Sequence, residues 1–140
     1  MHPILLDTSI YVSELRQGNA SILGTRNVSF GSALWLSAVV LEELYAGADT
    51  KGRKVLSKFE SDFSKVGRLL VPEASDWSKA GTILARIGER FGYDRIGKSR
   101  LTTDALIAAC AARKGMVLIT RNLRDFQMLA AYCSLDFRTM

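Results

Sequence analysis

Histidine is almost absent from this chain of 140 residues, and its absence excludes several kinds of catalytic site. The single histidine, His2, lies at the second position of the sequence. A Ser-His-Asp triad, a histidine relay for RNA cleavage and a histidine-rich zinc site all need imidazole groups placed in the folded core. The sequence therefore disfavours all three chemistries.

Cysteine and proline are also scarce, with 2 residues of each. Cys110 lies in a run of alanines that is typical of a buried helix face, and nothing indicates an oxidising compartment, so we expect no disulfide. The chain is 48% hydrophobic and 24% charged, which is typical of a globular domain with its own core. We expect a single domain over residues 1–140.

Long hydrophobic runs are missing as well. The weakly polar stretch from Leu101 to Ala112 includes Asp104 and is shorter than the roughly 20 residues that cross a bilayer. The first apolar run ends at Asp7, which is too early for a signal peptide. We therefore expect a cytoplasmic protein with no membrane partner.

The charge of the chain is positive and unevenly distributed. Its 19 basic and 14 acidic residues give a formal net charge of +5. Between positions 86 and 124 only Glu89, Asp94 and Asp104 oppose a set of basic residues: Arg86, Arg90, Arg95, Lys98, Arg100, Arg113, Lys114, Arg121 and Arg124. This excess favours binding of a polyanion such as nucleic acid, although a solvated basic face explains it equally well.

Short apolar runs alternate with longer amphipathic segments. Buried strands are predicted at residues 4–6, 34–36, 69–71 and 116–120, with an edge strand near the end of the chain. Helices are predicted at residues 8–16, 38–46, 50–66, 75–91, 99–114 and 122–131. This alternation predicts an α/β fold with a mainly parallel central sheet.

Two of these helices carry apolar stripes that we expect to face the core. The helix at residues 50–66 has the stripe Val55, Leu56, Phe59, Phe63 and Val66. The helix at residues 75–91 has the stripe Trp77, Ala80, Ile83, Leu84 and Ile87.

Two acidic residues follow predicted strands. Asp7 comes directly after the first strand, and Asp125 lies five residues beyond Thr120. Ligands of open α/β sheets bind beyond the carboxyl ends of the strands, so both carboxylates are candidates for a functional site. Two structural alternatives stay open: Asp7 could cap the helix that begins near Thr8, and Asp125 could favour the positive end of the last helix.

Asp104 is harder to explain as a surface residue. On a helix its neighbours are Leu101, Ile107, Ala108 and Ala111, so its carboxylate lies on an apolar stripe. An unpaired charge there is costly, and Asp104 must either pair with an arginine or help to hold a cation.

Glu42 and Glu43 are adjacent on a predicted helix, so one of them should face solvent, and spacing alone does not say which. Clustered carboxylates without histidine or cysteine suit magnesium or manganese. Such a site can activate water and stabilise the charge that develops on a phosphate during displacement.

Four segments of the chain resemble the PIN-domain family, and within it the VapC-type toxins. They are Leu5–Ser9, Ser37–Gly47, Leu101–Ala109 and Ile119–Phe126, and they occur in the order typical of the family. The resemblance implies an α/β/α sandwich and a metal site formed by Asp7, Glu43, Asp104 and Asp125. Asp7 and Asp104 are the implied direct ligands.

The same resemblance selects Glu43 over Glu42, because the family's acid stands directly before leucine in a Glu-Leu-x-x-Gly stretch. It implies supporting hydroxyl groups at Thr8 and Thr120. Asn122 stands where some relatives carry a further acid, three residues before the fourth implied carboxylate, Asp125.

The implied activity is metal-dependent cleavage of RNA, with Mg²⁺ or Mn²⁺ as cofactor. The implied partners are a second copy of the chain in a homodimer and a small antitoxin that blocks the site. Charge and position make four basic residues candidates for contact with the RNA backbone: Arg95, Lys98, Arg100 and Arg121.

Competing interpretations differ in class. A haloacid-dehalogenase-type phosphatase needs an acid where Ser9 stands, and the paired acids of a phosphorelay receiver are not evident. A PIN-like module that binds RNA or protein without cleavage stays open, as does an RNA-processing PIN nuclease outside any toxin pair.

Overall fold

Strands and helices alternate along the chain as predicted. The structure is a computed structural model that describes residues 2–16, 34–94 and 101–140, except for the side chain of Arg16. Its strands are β1 (Ile4–Leu6), β2 (Leu34–Ser37), β3 (Leu69–Leu70), β4 (Val117–Thr120) and β5 (Asp136–Thr139). Its helices are α1 (Thr8–Arg16), α2 (Ala38–Ala46), α3 (Thr50–Lys65), α4 (Ala74–Phe91), α5 (Leu101–Arg113) and α6 (Leu123–Ala130).

The five strands form one sheet in the order β3-β2-β1-β4-β5, and every pairing is parallel. The α/β prediction is confirmed, and the described sheet is wholly rather than mainly parallel. Ile4 of β1 aligns with Leu34 on one side and Val117 on the other. The sheet is flanked by helices, and β1 lies at its centre, so the carboxyl ends of β1 and β4 meet at the same edge.

Local sequence explains where several helices begin and end. The Ser37 hydroxyl accepts hydrogen bonds from the backbone N–H groups of Val39 (3.1 Å) and Val40 (3.3 Å), which caps α2. The same helix ends at Gly47, as predicted. The first two residues of the helix predicted at 99–114 lie outside the described residues.

The core lies on both sides of the sheet. Leu5, Leu36 and Leu118 are fully buried in neighbouring strands. On α3, Leu56, Phe59 and Phe63 are buried as predicted. Val55 and Val66 were placed on the same stripe, and this was wrong: they are 47% and 60% exposed. The core-facing stripe of α3 therefore consists of three of the five predicted residues.

The buried face of α4 differs from the predicted stripe at one position. Ala80, Ile83 and Ile87 are buried as expected, but Trp77 is 62% exposed. Asp76 takes the buried position instead and is 2% exposed. The prediction for Trp77 was wrong because it assumed that an apolar residue is buried in preference to the adjacent aspartate. Asp76 can be buried because it pairs with Arg113 on α5.

Asp76, which is buried, forms an ion pair with the half-buried Arg113 and so links α4 to α5. Arg113 Nε donates to both carboxylate oxygens of Asp76, at 2.8 and 3.0 Å. The backbone N–H of Glu73 donates at 2.8 Å and Cys110 Sγ at 3.4 Å. Burial by itself would raise the pKa of Asp76, but these hydrogen bonds outweigh it and hold that pKa below its ordinary value.

Both cysteines are free, so the absence of a disulfide is confirmed. Burial, together with the neighbouring Asp76 carboxylate, raises the pKa of the Cys110 thiol to about 12. None of the described helices is long and apolar enough to cross a membrane.

Candidate functional site

Asp7 and Thr120 meet where the two central strands end. The backbone N–H of Asp7 donates to the carbonyl of Ile119 at 2.9 Å, which extends the pairing of β1 with β4. Thr120 Oγ1 donates to Asp7 Oδ2 at 2.8 Å, and Ser9 Oγ donates to the same oxygen at 2.7 Å. The register of the parallel strands thus fixes the Asp7 carboxylate at the edge where ligands of such sheets bind.

The Asp7 side chain is only 3% exposed, and among the described residues no lysine or arginine forms an ion pair with it. Its hydrogen bonds there come from two neutral hydroxyl groups and not from backbone N–H groups of α1, so the carboxylate is not a conventional helix cap. A buried carboxylate without an opposite charge is costly. The arrangement therefore favours a cation at this position.

Ser9 also belongs to this group, although the sequence analysis gave it no role at the site. Its hydroxyl also accepts a hydrogen bond from the backbone N–H of Arg121 at 3.0 Å and lies 3.3 Å from Thr120 Oγ1. The signal for this role is the spacing of Asp7 and Ser9, because a hydroxyl two residues after an aspartate can bond back to its carboxylate.

Asn122 connects the two remaining aspartates. Its Nδ2 donates to Asp104 Oδ2 at 3.4 Å and to Asp125 Oδ2 at 3.0 Å. Its backbone N–H donates to Thr120 Oγ1 at 2.9 Å, so the same hydroxyl group links Asn122 to Asp7. One hydrogen-bonded network therefore joins the residue that follows β1, the last residue of β4, the first turns of α5 and α6, and the turn before α6.

Asp104 and Asp125 each lie in the first turn of a helix, α5 and α6 respectively. Asp104 is 6% exposed, so its predicted place on a buried stripe is confirmed. Asp125 is half-buried, and its backbone N–H lies 3.5 Å from Asn122 Oδ1, the N-cap contact of α6. A helix-end role for Asp125 is therefore compatible with the structure, as the sequence allowed.

Glu43 is the inward-facing member of the glutamate pair on α2. It is half-buried, whereas Glu42 is exposed. Thr8 Oγ1 donates to Glu43 Oε1 at 2.7 Å, and Thr8 itself is 6% exposed. Since Thr8 directly follows Asp7, this hydrogen bond brings the Glu43 side chain to the start of α1, beside the edge that carries the aspartates.

Arg121 is the one predicted RNA-contacting residue that lies in the described part of the chain. It is exposed, and its guanidinium Nη2 lies 3.7 Å from Glu14 Oε1. It follows Thr120 directly, so it stands at the rim of the network. Arg95, Lys98 and Arg100 lie outside the described residues.

The chemistry of these donors fits a hard divalent cation, because every side chain of the network offers oxygen ligands. Within residues 2–16, 34–94 and 101–140, however, no three histidine, cysteine or acidic side chains are grouped to hold a metal ion. Mg²⁺ keeps several waters and is commonly bound by one or two carboxylates, so it does not need such a cage. Asp7 and Asp104 fit that mode of binding.

A family model described as PIN domain matches residues 4–131, and the chain therefore belongs to the PIN-domain family. It is 26% identical over 129 residues to ribonuclease VapC2 of Haemophilus influenzae, covering 91% of this chain and 92% of that protein. It is also 26% identical over 139 residues to the tRNA(fMet)-specific endonuclease VapC of Shigella flexneri, covering 98% of this chain and 99% of that protein.

Solved structures of similar fold include DNA-bound VapBC from Salmonella typhimurium. The match has a TM-score of 0.66 and 23% sequence identity, and it covers 99% of this chain and 98% of that one. VapBC-1 from nontypeable Haemophilus influenzae matches with a TM-score of 0.65 and 20% sequence identity, covering 97% of this chain and 96% of that one. These likenesses confirm the fold that the four sequence segments predicted.

Proposed function

We propose that this protein is a metal-dependent endoribonuclease and the toxin half of a VapBC-type toxin–antitoxin pair. The observation that carries the proposal is the buried Asp7 carboxylate, which has no cationic partner in the described part of the chain and shares a hydrogen-bonded network with Asp104 and Asp125. Membership of the PIN-domain family and the ribonuclease names of the similar VapC proteins support it.

In this proposal Asp7 and Asp104 bind Mg²⁺ or Mn²⁺, with Glu43 and Asp125 completing the site. An ion held by these residues would supply Lewis-acid stabilisation of the phosphate and activation of water. Ser9 and Thr120 both bond to Oδ2 of Asp7, which orients the carboxylate, and no side chain among the described residues bonds to Oδ1. Thr8 orients Glu43 in the same way.

Asn122 holds Asp104 and Asp125 through one neutral amide. Because the amide donates to both carboxylates without adding negative charge, it keeps two acids close to each other and to the phosphate that they must approach. Arg121 at the rim supplies positive charge for the RNA backbone.

The proposed partners are a small antitoxin and a second copy of the chain. The similar solved structures are VapBC assemblies, which supports the antitoxin. Co-expression with the product of a small neighbouring reading frame should yield a complex in which RNA cleavage is blocked. A free protein of twice 15.4 kDa by light scattering would support the homodimer. Cleavage unaffected by any neighbouring gene product would favour an RNA-processing nuclease instead.

The central experiment incubates the purified protein with a pool of structured and single-stranded RNAs in Mg²⁺, Mn²⁺ or EDTA. Asp7→Asn and Asp104→Asn should each lower metal-dependent cleavage by about a hundredfold or more, because each removes a charge that holds the ion. Asp62→Asn on α3 is the matched control, since it removes an acid outside the network. Circular dichroism checks that all variants are folded.

No cleavage by folded wild type in either metal would contradict the proposal and favour a PIN-like module that binds RNA or protein without cutting. Cleavage that survives in both Asn variants would place the chemistry elsewhere in the molecule.

A further inference from the structure

A groove lies between the end of α4 and the outer face of α6. Its volume is about 310 Å³, and its lining includes Arg90, Phe91, Arg124, Gln127, Met128 and Tyr132. None of the residues that line it is acidic. The groove is outside the network of carboxylates, and nothing in the proposed chemistry has used it.

Among the described residues, the two arginines of the groove have no ion-pair partner. Arg90 and Arg124 are both exposed, and neither forms an ion pair with a carboxylate in the described part of the chain. Two unpaired guanidinium groups in one concave surface attract an anionic ligand, and arginine is well suited to phosphate because its planar fork can donate two hydrogen bonds.

The groove also offers flat surfaces. The ring of Phe91 is 49% exposed, although a phenylalanine normally gains by burial. The guanidinium carbon of Arg90 lies 5.2 Å from the centroid of that ring. Exposed aromatic rings and guanidinium planes are the surfaces on which unpaired bases stack in single-stranded nucleic acid complexes.

The position of the groove connects it to the carboxylates. Arg124, Gln127 and Met128 lie on one face of α6 because their spacing follows the helical repeat. Arg124 directly precedes Asp125, whose carboxylate bonds to Asn122. Arg124 and Asp125 both lie in the first turn of α6, so one end of the groove is at the end of the helix that carries the network. The exposed ring and the two guanidinium groups favour a nucleic acid over an acidic peptide, because only a nucleic acid has bases that stack on them.

We propose that this groove binds the single-stranded RNA that flanks the scissile phosphodiester. Arg90 and Arg124 contact phosphates, and Phe91 stacks on a base. The inference rests on the proposed ribonuclease function and adds to it the path of the substrate and its single-stranded character.

The test measures binding without cleavage. A fluorescently labelled single-stranded RNA is titrated with the full chain in EDTA, at several salt concentrations, and anisotropy is recorded. The double variant Arg90→Gln, Arg124→Gln should bind about tenfold or more weakly, and the slope of log affinity against log salt should fall by roughly 1.4, because two phosphate contacts are lost at about 0.7 each.

Phe91→Ala should behave differently. It should weaken binding by about tenfold through lost stacking, with the salt slope unchanged, since no charge is removed. The matched control is the double variant Lys54→Gln, Lys65→Gln, which removes two exposed charges from α3. That helix contacts β2 and β3, at the opposite edge of the sheet from β4 and β5. The control should bind like wild type.

Groove variants that bind like the control would overturn the proposal even if wild type cleaves RNA, and the ribonuclease function would then stand without this groove. Weakened binding with no cleavage by wild type would leave the groove in place and contradict the ribonuclease. Equal loss of affinity for duplex RNA, or equal binding of polyglutamate in the groove, would overturn the assignment to single-stranded RNA.

Discussion

Asp7 and Asp76 are two aspartates with nearly the same burial and opposite surroundings. They are 3% and 2% exposed. Asp76 receives two hydrogen bonds from the Arg113 guanidinium, so its charge is neutralised inside the fold. Asp7 receives hydrogen bonds from two hydroxyl groups, which leave its charge in place. Burial alone therefore does not separate a structural carboxylate from a functional one, whereas the charge of the partner does.

The locations of the two residues fit this division. Asp76 joins α4 to α5 within the helical layer, where a neutralised pair stabilises packing. Asp7 lies at the carboxyl edge of the sheet, where ligands of parallel α/β folds bind. If the division holds, the two aspartates must respond in opposite ways when each is made neutral.

The largest effect is expected for Asp76→Asn. The amide cannot neutralise Arg113, which keeps only its longer contact with Glu73 at 3.4 Å, so the free energy of unfolding should fall by about 2 kcal/mol, less than for a fully buried pair. Urea denaturation at pH 7 measures it. RNA cleavage per folded molecule should be unchanged, because Asp76 is outside the carboxylate network. A stability within about 0.5 kcal/mol of wild type would show that the pair contributes little.

The second prediction concerns how the stability difference between wild type and Asp76→Asn depends on pH. The pKa of Asp76 is lower in the folded state than its ordinary value of 3.8, so its contribution is present above that value and is lost as the pH falls through the folded-state pKa. The stability gap between wild type and Asp76→Asn should therefore narrow below about pH 4. Urea titrations from pH 7 down to pH 3 follow the gap, and a constant gap would contradict the assignment.

Asp7→Asn should have the opposite sign. In EDTA the variant should be more stable than wild type by about 1 kcal/mol, because a buried charge without an ionic partner has been removed. Excess Mg²⁺ should raise the melting temperature of wild type and not that of the variant, since only wild type retains the proposed ligand. A loss of stability like that of Asp76→Asn would end the contrast between the two residues.

The smallest expected effect on stability concerns a buried neutral group, the hydroxyl of Tyr11. The hydroxyl of Tyr11 is fully buried and has no hydrogen-bond partner in the described residues, and burial raises its pKa. Tyr11→Phe should therefore raise the free energy of unfolding by about 0.5 kcal/mol, since it removes an unsatisfied donor and keeps the ring that packs against Phe59. Thermal melts of the two proteins compare them, and a marked decrease would reveal an overlooked partner.

Sequence patterns predicted most of the fold because parallel strands and amphipathic helices follow local periodicity. Asp76 shows where they fail. Periodicity favoured Trp77 as the core residue of α4, since the partner that permits Asp76 to be buried stands 37 residues later on another helix. A pairing of that kind depends on how helices pack, and no local pattern contains it.

The candidate site was predictable to a similar degree. The positions of Asp7 and Asp104 followed from strand ends and an apolar stripe, and the family resemblance distinguished Glu43 from Glu42. The bridging amide of Asn122 joins Asp104 on α5 to Asp125 on α6, and this contact depends on how the two helices pack. The hydroxyl of Ser9 is different, because it bonds to an aspartate only two residues away and the spacing alone could have indicated it.

The hydrogen bond between Thr120 and Asp7 joins residues 113 positions apart. On the ribosome, β1 is synthesised before β4, so Asp7 emerges long before the Thr120 hydroxyl that bonds to it. A nascent chain that stops before β4 carries Asp7 and Glu43 but lacks Thr120, Asn122 and Asp125. The proposed site therefore assembles only after β4 and the start of α6 have been synthesised, and translation products that end before β4 lack part of it.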